Sequence, residues 1–245
     1  MGLPPNPLNP AVPLWGSILT GIPAAVPHSN ALLALLRDGV VKRRTYFSFH
    51  FEDVWRVNIV RNAWKIRHRD AQYARSFYDS SIWETRKLSD DEAVKRLIRE
   101  GVQNTSAICV LVGAGTWVRR WVRYEIARAI IDQRGLLAVH INSICNSNGL
   151  QEPLGHNPLS YMGIYKEQSS LYQAPRYYIY EFKDGHWQQY QDYVLPVELP
   201  PYLPDPAPNY ISWLSAGAAL YDYIGGDGHR NIGTWVDTAA KQAHR

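Results

Sequence analysis

The chain of 245 residues is long enough for one large domain, or for one ordinary domain with substantial additions. A hydrophobic content of 46% and a charged content of 20% exclude a disordered chain and indicate a globular protein with a real core. The net charge of +4 favours anionic partners but is too small to predict nucleic-acid binding, and two cysteines, Cys109 and Cys145, are too few for a disulfide framework. We therefore expect a cytoplasmic protein.

The first 43 residues predict an extended, Pro-rich N-terminal arm. They carry seven prolines between Pro4 and Pro27 and lack the basic start of a secretory signal. No apolar run reaches the roughly 18 to 20 residues that are needed to span a bilayer. We therefore expect no membrane partner.

Strand and helix signals alternate from Arg44 onward, which predicts an α/β fold with a central, mainly parallel sheet flanked by helices. The nearly continuous apolar run from Ser106 to Gly113 is typical of a central strand covered on both faces. A capping box, with Ser89 as N-cap and Glu92 three residues later, begins the helix before it. In chain order, the predicted elements of this core (residues 44–142) are a strand over 44–49, a helix over 54–64, a strand around 76–78, a helix after Ser89, a strand over 106–113, a helix over 119–130 and a strand over 136–141.

Residues 143–245 lose this alternation and are assigned to a C-terminal extension packed on the core domain. A hairpin is predicted in it, because the strands "RYYIYEF" and "HWQQYQ" flank Asp184 and Gly185, a favoured pair for a tight turn. The last two predicted elements are short helices, near Ile211 to Ile224 and Asn231 to Gln242.

The helix with the sequence "RRWVRYEIARAI" places a carboxylate on its apolar side. At 100° per residue, Glu125 projects within the arc of apolar side chains. A charge there costs several kcal/mol unless it is paired or lines a cleft. Glu125 is therefore the first candidate functional residue; the alternative is a carboxylate at the edge of the face that reaches back to Arg128. The apolar arc consists of Val118, Trp121, Val122, Ile126 and Ala129.

Loops at the carboxyl ends of parallel strands converge on one crevice, and ligands of open α/β sheets bind there. The residues in these loops also have structural alternatives: a helix cap for Asp53, packing for Trp83 and a tight turn for the glycines. The candidates from the first three loops are Ser48, His50 and Asp53; Asp79, Trp83 and Glu84; Gly113, Gly115 and Thr116.

Several catalytic motifs are missing from the sequence. It contains no phosphate loop and no complete dinucleotide fingerprint, its His and Cys residues do not fall at zinc spacings, and it has no GxSxG elbow. Zinc hydrolysis and serine or cysteine nucleophile chemistry are thus disfavoured, and no metal is expected. What remains is a carboxylate in a crevice at the edge of the sheet.

Four strings resemble a TIR domain of the small bacterial TIR-like class, and more closely the TIR proteins of Thoeris anti-phage defence systems. The likeness is strong over roughly residues 44–142 and continues weakly through the hairpin. It implies a flavodoxin-like TIR fold with a C-terminal hairpin and helical extension. The strings are Tyr46 to Trp64, Asp79 to Glu84, Asn104 to Thr116 and "RRWVRYEIARAI".

Enzymatic TIR domains cleave NAD⁺ at the nicotinamide glycosidic bond with a glutamate in the helix after the third strand, so the resemblance implies that Glu125 is catalytic. NAD⁺ is then a substrate, and no cofactor is expected. In the Thoeris family the product is a cyclic ADP-ribose isomer or, in some relatives, an amino-acid conjugate, and this second messenger activates a separate effector protein. The side chains expected to contact the substrate are Ser48, Phe49, His50, Asp53, Asn58, Trp83 and Tyr124, with Arg61 and Asn62 as further polar candidates.

Two other hypotheses stay open at this point. A non-enzymatic TIR adaptor would act through self-assembly and would depend on the loop around Trp83 but not on Glu125. An N-glycosidase similar to nucleoside deoxyribosyltransferases would process nucleosides and ignore NAD⁺. TIR enzymes often assemble to complete their site, so a homo-oligomer is a further expected partner.

Overall fold

The structure, a computed structural model, describes residues 43–67, 78–79, 90–146, 148–168 and 174–245. In these ranges, one sheet is built from β1 (Thr45–Ser48), β2 (Tyr78–Asp79), β3 (Ala107–Val112), β4 (Gly135–His140) and β9 (Ala219–Asp222). A second sheet is built from β5 (Met162–Glu167), β6 (Arg176–Lys183), β7 (His186–Gln189) and β8 (Ile211–Trp213). The helices are α1 (Val54–Arg67), α2 (Asp91–Gln103), α3 (Arg120–Ile131) and α4 (Gly228–Gln242).

The first sheet is parallel throughout, with the strand order β2-β1-β3-β4-β9. This is the order of a flavodoxin-like fold, so the predicted fold class is confirmed. Ser48 pairs with Val110 and Val112 pairs with His140, which brings the carboxyl ends of β1, β3 and β4 to one edge. The candidate residues that follow these strands therefore share that edge.

Helices cover both faces of this sheet. The side chains of Cys109 and Leu111 face α1 and α4, whereas Ile108, Val110 and Val112 face α2 and α3. All six residues of β3 are buried, because both faces of the strand are covered. The central strand predicted from the continuous apolar run is thus confirmed, and the run is apolar because both faces of the strand are covered.

The hairpin predicted around Asp184 and Gly185 is confirmed by β6 and β7. Both turn residues have positive φ angles, 53° and 83°, as a two-residue hairpin turn of the favoured hand requires. The second sheet is antiparallel, in the order β7-β6-β5-β8, and packs its inner face on α3.

The prediction of a helix near Ile211 to Ile224 is wrong. This stretch forms β8, a short 3-10 turn over Leu214–Ala216, and β9. Without β9, the edge of β4 would have unpaired backbone groups, and residues 219–222 form hydrogen bonds with them by parallel pairing. Local sequence patterns predicted a helix because they contain no information on this distant partner strand. Part of the segment assigned to the extension is therefore a strand of the central sheet.

The cap of α2 also differs from the prediction. Asp90, and not Ser89, is the N-cap, and its carboxylate accepts a hydrogen bond from the amide of Glu92 at 3.0 Å. Asp and Ser are equally good caps, so the sequence could not separate two neighbouring candidates.

Helix α3 has no broad solvent-exposed face. The single apolar stripe that the sequence predicted for this helix therefore does not describe it. The run from Val122 to Ala127 is buried throughout, whereas Val118 is 50% exposed and precedes the helix. The sheet, α2 and the inner face of the second sheet enclose α3 on separate sides. Arg123 and Glu125 are buried for that reason, and each needs a partner.

Candidate active site at the carboxyl edge of the sheet

Glu125 lies on α3 and is 1% exposed. The hydroxyl of Tyr46 donates to its Oε1 at 2.6 Å, and the hydroxyl of Ser48 donates to its Oε2 at 2.5 Å. Tyr46 and Ser48 are two residues apart on β1, so their side chains point to the same face of the strand. Both carboxylate oxygens are thus held by one strand.

The alternative partner for Glu125 is occupied elsewhere. Arg128 donates from Nε and Nη2 to the two carboxylate oxygens of Asp132, at 3.1 and 2.5 Å. The two residues are four apart, the spacing at which side chains meet on a helix surface. Glu125 therefore does not reach back to Arg128, and its orientation is set by β1.

The Glu125 site lies at the topological switch point of the sheet. The chain leaves β1 for β2 on one side and later returns to β3 on the other, so the crevice between the loops after β1 and β3 is the usual ligand position. The amide of Gly113 donates to the hydroxyl of Thr116 at 2.9 Å, which closes the loop after β3 into a tight turn. Thr116 thus has a structural role in the loop after β3.

Asp53 lies in the loop after β1 and touches the loop after β3. It is 3% exposed, and its carboxylate lies so close to Gly113 that a Cβ on residue 113 would overlap it. The pKa of Asp53 is raised to about 6, mainly by burial; the charges of Glu152 and Glu52 also act to raise it, whereas Arg56 acts to lower it. This carboxyl group therefore titrates closer to neutrality than an ordinary aspartate.

His50 and Arg119 lie on either side of the exposed carboxylate of Glu52. His50 is 4% exposed, and its Nδ1 lies 3.4 Å from Glu52 Oε2. Arg119, which precedes α3, has its Nη2 3.7 Å from the same oxygen. These contacts connect the loop after β1 with the start of the helix that carries Glu125.

The other predicted contact residues lie in different environments. Phe49 is buried in the core with Val57 and Trp64, and Asn58 is exposed on the outer side of α1. Tyr124 points to α2, where Arg99 donates to its hydroxyl at 3.3 Å. The structure thus brings Ser48 to Glu125 and Asp53 to Gly113, but it does not bring Asn58 or Tyr124 to this cluster. Trp83 and Glu84 lie outside the described residues.

Sequence reasoning missed four polar residues around the site: Tyr46, Arg56, Arg123 and Glu152. Tyr46 was detectable, because it shares a strand face with Ser48. Arg123 forms a buried ion pair with Glu181 of β6 at 2.6 Å, and no local pattern predicts a partner 58 residues away. Arg56 and Glu152 are even farther apart in the chain, and their charged atoms lie 2.5 Å apart.

Within the described ranges, no group of three or more His, Cys, Asp and Glu side chains converges as a metal site. In the same ranges, none of the helices has both the length and the apolar character needed to cross a membrane.

Comparison with known proteins connects this arrangement to a family. The protein named "Putative cyclic ADP-D-ribose synthase ThsB1" from Bacillus cereus (strain MSX-D12) is 36% identical over 197 residues, which is 80% of this chain and 99% of that protein. The chain belongs to the ThsB family of Thoeris TIR-like proteins. The TIR-like domain described as "Thoeris protein ThsB, TIR-like domain" matches residues 46–145, a range that begins at Tyr46 and includes Glu125. The resemblance seen in the sequence is thereby confirmed.

Proposed function

We propose that the protein cleaves NAD⁺ at the bond between nicotinamide and ribose and closes the ADP-ribosyl unit into a cyclic ADP-ribose isomer. The observation that carries this proposal is the Glu125 carboxylate, held through both oxygens by Tyr46 and Ser48 at the switch point of the strand order. The printed name of the ThsB1 relative, a cyclic ADP-D-ribose synthase, supports the same reaction.

The chemistry needs one carboxylate and no general acid. Nicotinamide leaves as a neutral molecule and takes the electron pair of the glycosidic bond, so positive charge develops on the ribose ring. A carboxylate beside the ring stabilises that charge and hydrogen-bonds to the ribose hydroxyls. Glu125 is assigned to this position, and the fixed hydroxyls of Tyr46 and Ser48 prevent it from rotating away.

Cyclisation requires an internal nucleophile to reach the ribose before water does. A nucleophilic atom of the ADP moiety forms the new bond to the anomeric carbon; where this atom is a hydroxyl oxygen, its proton passes to the Glu125 carboxylate. The low exposure of Glu125, 1%, supports a site that excludes water during this step. Ser48, His50 and Asp53 are proposed to line the side of the crevice where the substrate folds.

The biological role proposed for the product is that of a second messenger in anti-phage defence. In this scheme the cyclic nucleotide activates a separate effector protein, and a homo-oligomer of this chain completes the site. Membership of the Thoeris family supports that role.

Incubation with NAD⁺, with and without lysate of phage-infected cells, tests the proposal by mass spectrometry of the products. We expect nicotinamide and an isomer of cyclic ADP-ribose from the wild-type protein, and neither from Glu125→Gln. Glu100→Gln is the matched control, because Glu100 is an exposed residue of α2. Full activity of a folded Glu125→Gln variant would contradict the assignment, and loss of defence without loss of NAD⁺ cleavage would favour an adaptor.

A further inference from the structure

The loop that follows β4 is connected to the loop after β1 through one buried arginine. Arg56 is 1% exposed, and its Nη1 lies 2.5 Å from Glu152 Oε1 and 3.3 Å from Asp53 Oδ1. Its Nε donates to the carbonyl of Ile144 at 3.2 Å, and its guanidinium lies 4.1 Å from the centre of the Trp55 ring. Arg56 thus ties α1 to both ends of the loop 144–152.

We propose that Arg56 and Glu152 are positioning residues for the reaction, which hold the Asp53 carboxylate against Gly113, between the loops after β1 and β3 at the carboxyl edge of the sheet. The inference rests on the proposed function and deepens it. Glu152 lies beyond the matched TIR-like domain, which ends at residue 145. The segment after the domain therefore supplies part of the machinery that shapes the site.

The geometry leaves Asp53 little freedom. Its carboxylate is fixed on one side by Gly113, where only a hydrogen atom fits, and on the other by the guanidinium of Arg56. Arg56 in turn is anchored by the Ile144 carbonyl and by Glu152. A planar guanidinium has several donors and can therefore bind two carboxylates and a carbonyl at the same time. Removal of Glu152 therefore changes the position and the charge environment of Asp53 without touching it.

The charged groups around Asp53 have opposing effects on its proton. Glu152, in the loop after β4, and Glu52, in the same turn as Asp53, disfavour the ionised form, whereas Arg56 of α1 favours it. His50 faces Glu52 at 3.4 Å and is the other titratable group of this turn. Loss of the Glu152 charge therefore lowers the pKa of Asp53, and loss of the Arg56 charge raises it.

The two substitutions are expected to move the pKa of Asp53 in opposite directions. A purely structural role of Arg56 and Glu152 would not produce opposite changes in the pH profile. We compare Glu152→Gln and Arg56→Gln with the wild type and with Glu100→Gln, and measure the rate of nicotinamide release from NAD⁺ between pH 5 and pH 8. If the ionised form of Asp53 is the active one, the acid limb of kcat/KM moves to lower pH in Glu152→Gln. A shift of about one pH unit raises the ratio of the rates at pH 5.5 and pH 8 by about threefold. Arg56→Gln lowers the same ratio, and Glu100→Gln leaves it unchanged.

A second measurement keeps this inference separate from the proposed function. Carbon-13 NMR titration of the Asp53 carboxyl group in the wild type, Glu152→Gln and Arg56→Gln reports its pKa whether or not NAD⁺ is cleaved. A wild type that releases no nicotinamide overturns the proposed function, whereas an unchanged Asp53 pKa in Glu152→Gln overturns the inference. A shifted pKa with an unshifted rate profile also overturns the inference. If Arg56→Gln does not fold, the test rests on Glu152→Gln alone. This variant is expected to fold, because the Glu152 side chain is 38% exposed and glutamine has the same shape as glutamate.

Discussion

Ser48 and Glu125 are 77 residues apart in the chain, yet the Ser48 hydroxyl donates to Glu125 Oε2 at 2.5 Å. Tyr46, two residues earlier on β1, donates to the other oxygen of the same carboxylate. A buried carboxylate with both oxygens bound by hydroxyls of one strand has a fixed direction relative to the sheet. The pairing of α3 with β1 therefore determines where the proposed catalytic carboxylate lies.

Tyr46→Phe should lower kcat for NAD⁺ cleavage by about tenfold or more, because a hydrogen bond to a charged group contributes about 1.5 to 3 kcal/mol. The ring stays in place, so the core that surrounds it is unchanged. The control is Tyr165→Phe, which removes a hydroxyl that binds Asn209 on the second sheet. An unchanged kcat in Tyr46→Phe, with the fold confirmed by circular dichroism, would show that the hydroxyl does not orient the catalytic carboxylate.

The sequence predicted the elements that depend on local pattern and missed those that depend on distant partners. The run "AICVLV" predicted β3 because a strand covered on both faces must be apolar throughout. Glu125 stood out because a charge is costly among apolar side chains. Of its two partners, Ser48 was among the predicted contact residues, whereas Tyr46 was missed because a tyrosine within a strand is typical of a core residue. Strand β9 was missed because its stability comes from the edge of β4, more than 70 residues earlier in the chain.

Gly113→Ala should disturb both stability and activity, whereas Gly115→Ala, two residues later in the same loop, should be tolerated. A Cβ on residue 113 overlaps the carboxylate of Asp53, which is buried and cannot move freely. The nearest atom to a Cβ on residue 115 is Nη2 of Arg119 at 3.7 Å, an ordinary contact. We expect a loss of about 1 to 3 kcal/mol in the free energy of unfolding for Gly113→Ala. Urea denaturation and NAD⁺ cleavage assays check this pair, and equal effects at the two glycines would contradict the contact.

Arg123→Met should cost about 3 to 5 kcal/mol of unfolding free energy, because it leaves Glu181 buried without its charged partner. The two side chains are only 10% and 9% exposed, and Arg123 also donates to the carbonyl of Phe182 at 3.3 Å. Glu92→Gln removes a carboxylate that is 70% exposed and pairs with Lys95, and it should cost less than about 1 kcal/mol. Chemical denaturation measures both losses.

The double variant Arg123→Met with Glu181→Leu separates a buried-charge effect from a packing effect. With both charges removed, no unpaired charge stays in the interface between α3 and β6, so the loss should be smaller than in Arg123→Met alone. A double variant that is less stable than either single variant would show that the ion pair itself stabilises the fold. In that case α3 would depend on this pair for its position as well as its stability.

Asp53→Asn should affect stability in a way that depends on pH. The pKa of Asp53 is raised in the folded protein from 3.8 to about 6, mainly by burial, so the folded state binds this proton more tightly than the unfolded state does. Its contribution to stability is therefore fully present below pH 3.8 and is lost as the pH rises through 6. An asparagine has no such proton, so the stability difference between wild type and Asp53→Asn should shift in favour of the variant by about 2 to 3 kcal/mol between pH 4 and pH 8. Thermal or urea unfolding of both proteins at several pH values measures this shift, and a difference that is constant with pH would mean that Asp53 is ionised equally in both states. Because Arg56 also loses a charged partner in the variant, the absolute loss at any one pH is less informative than its slope.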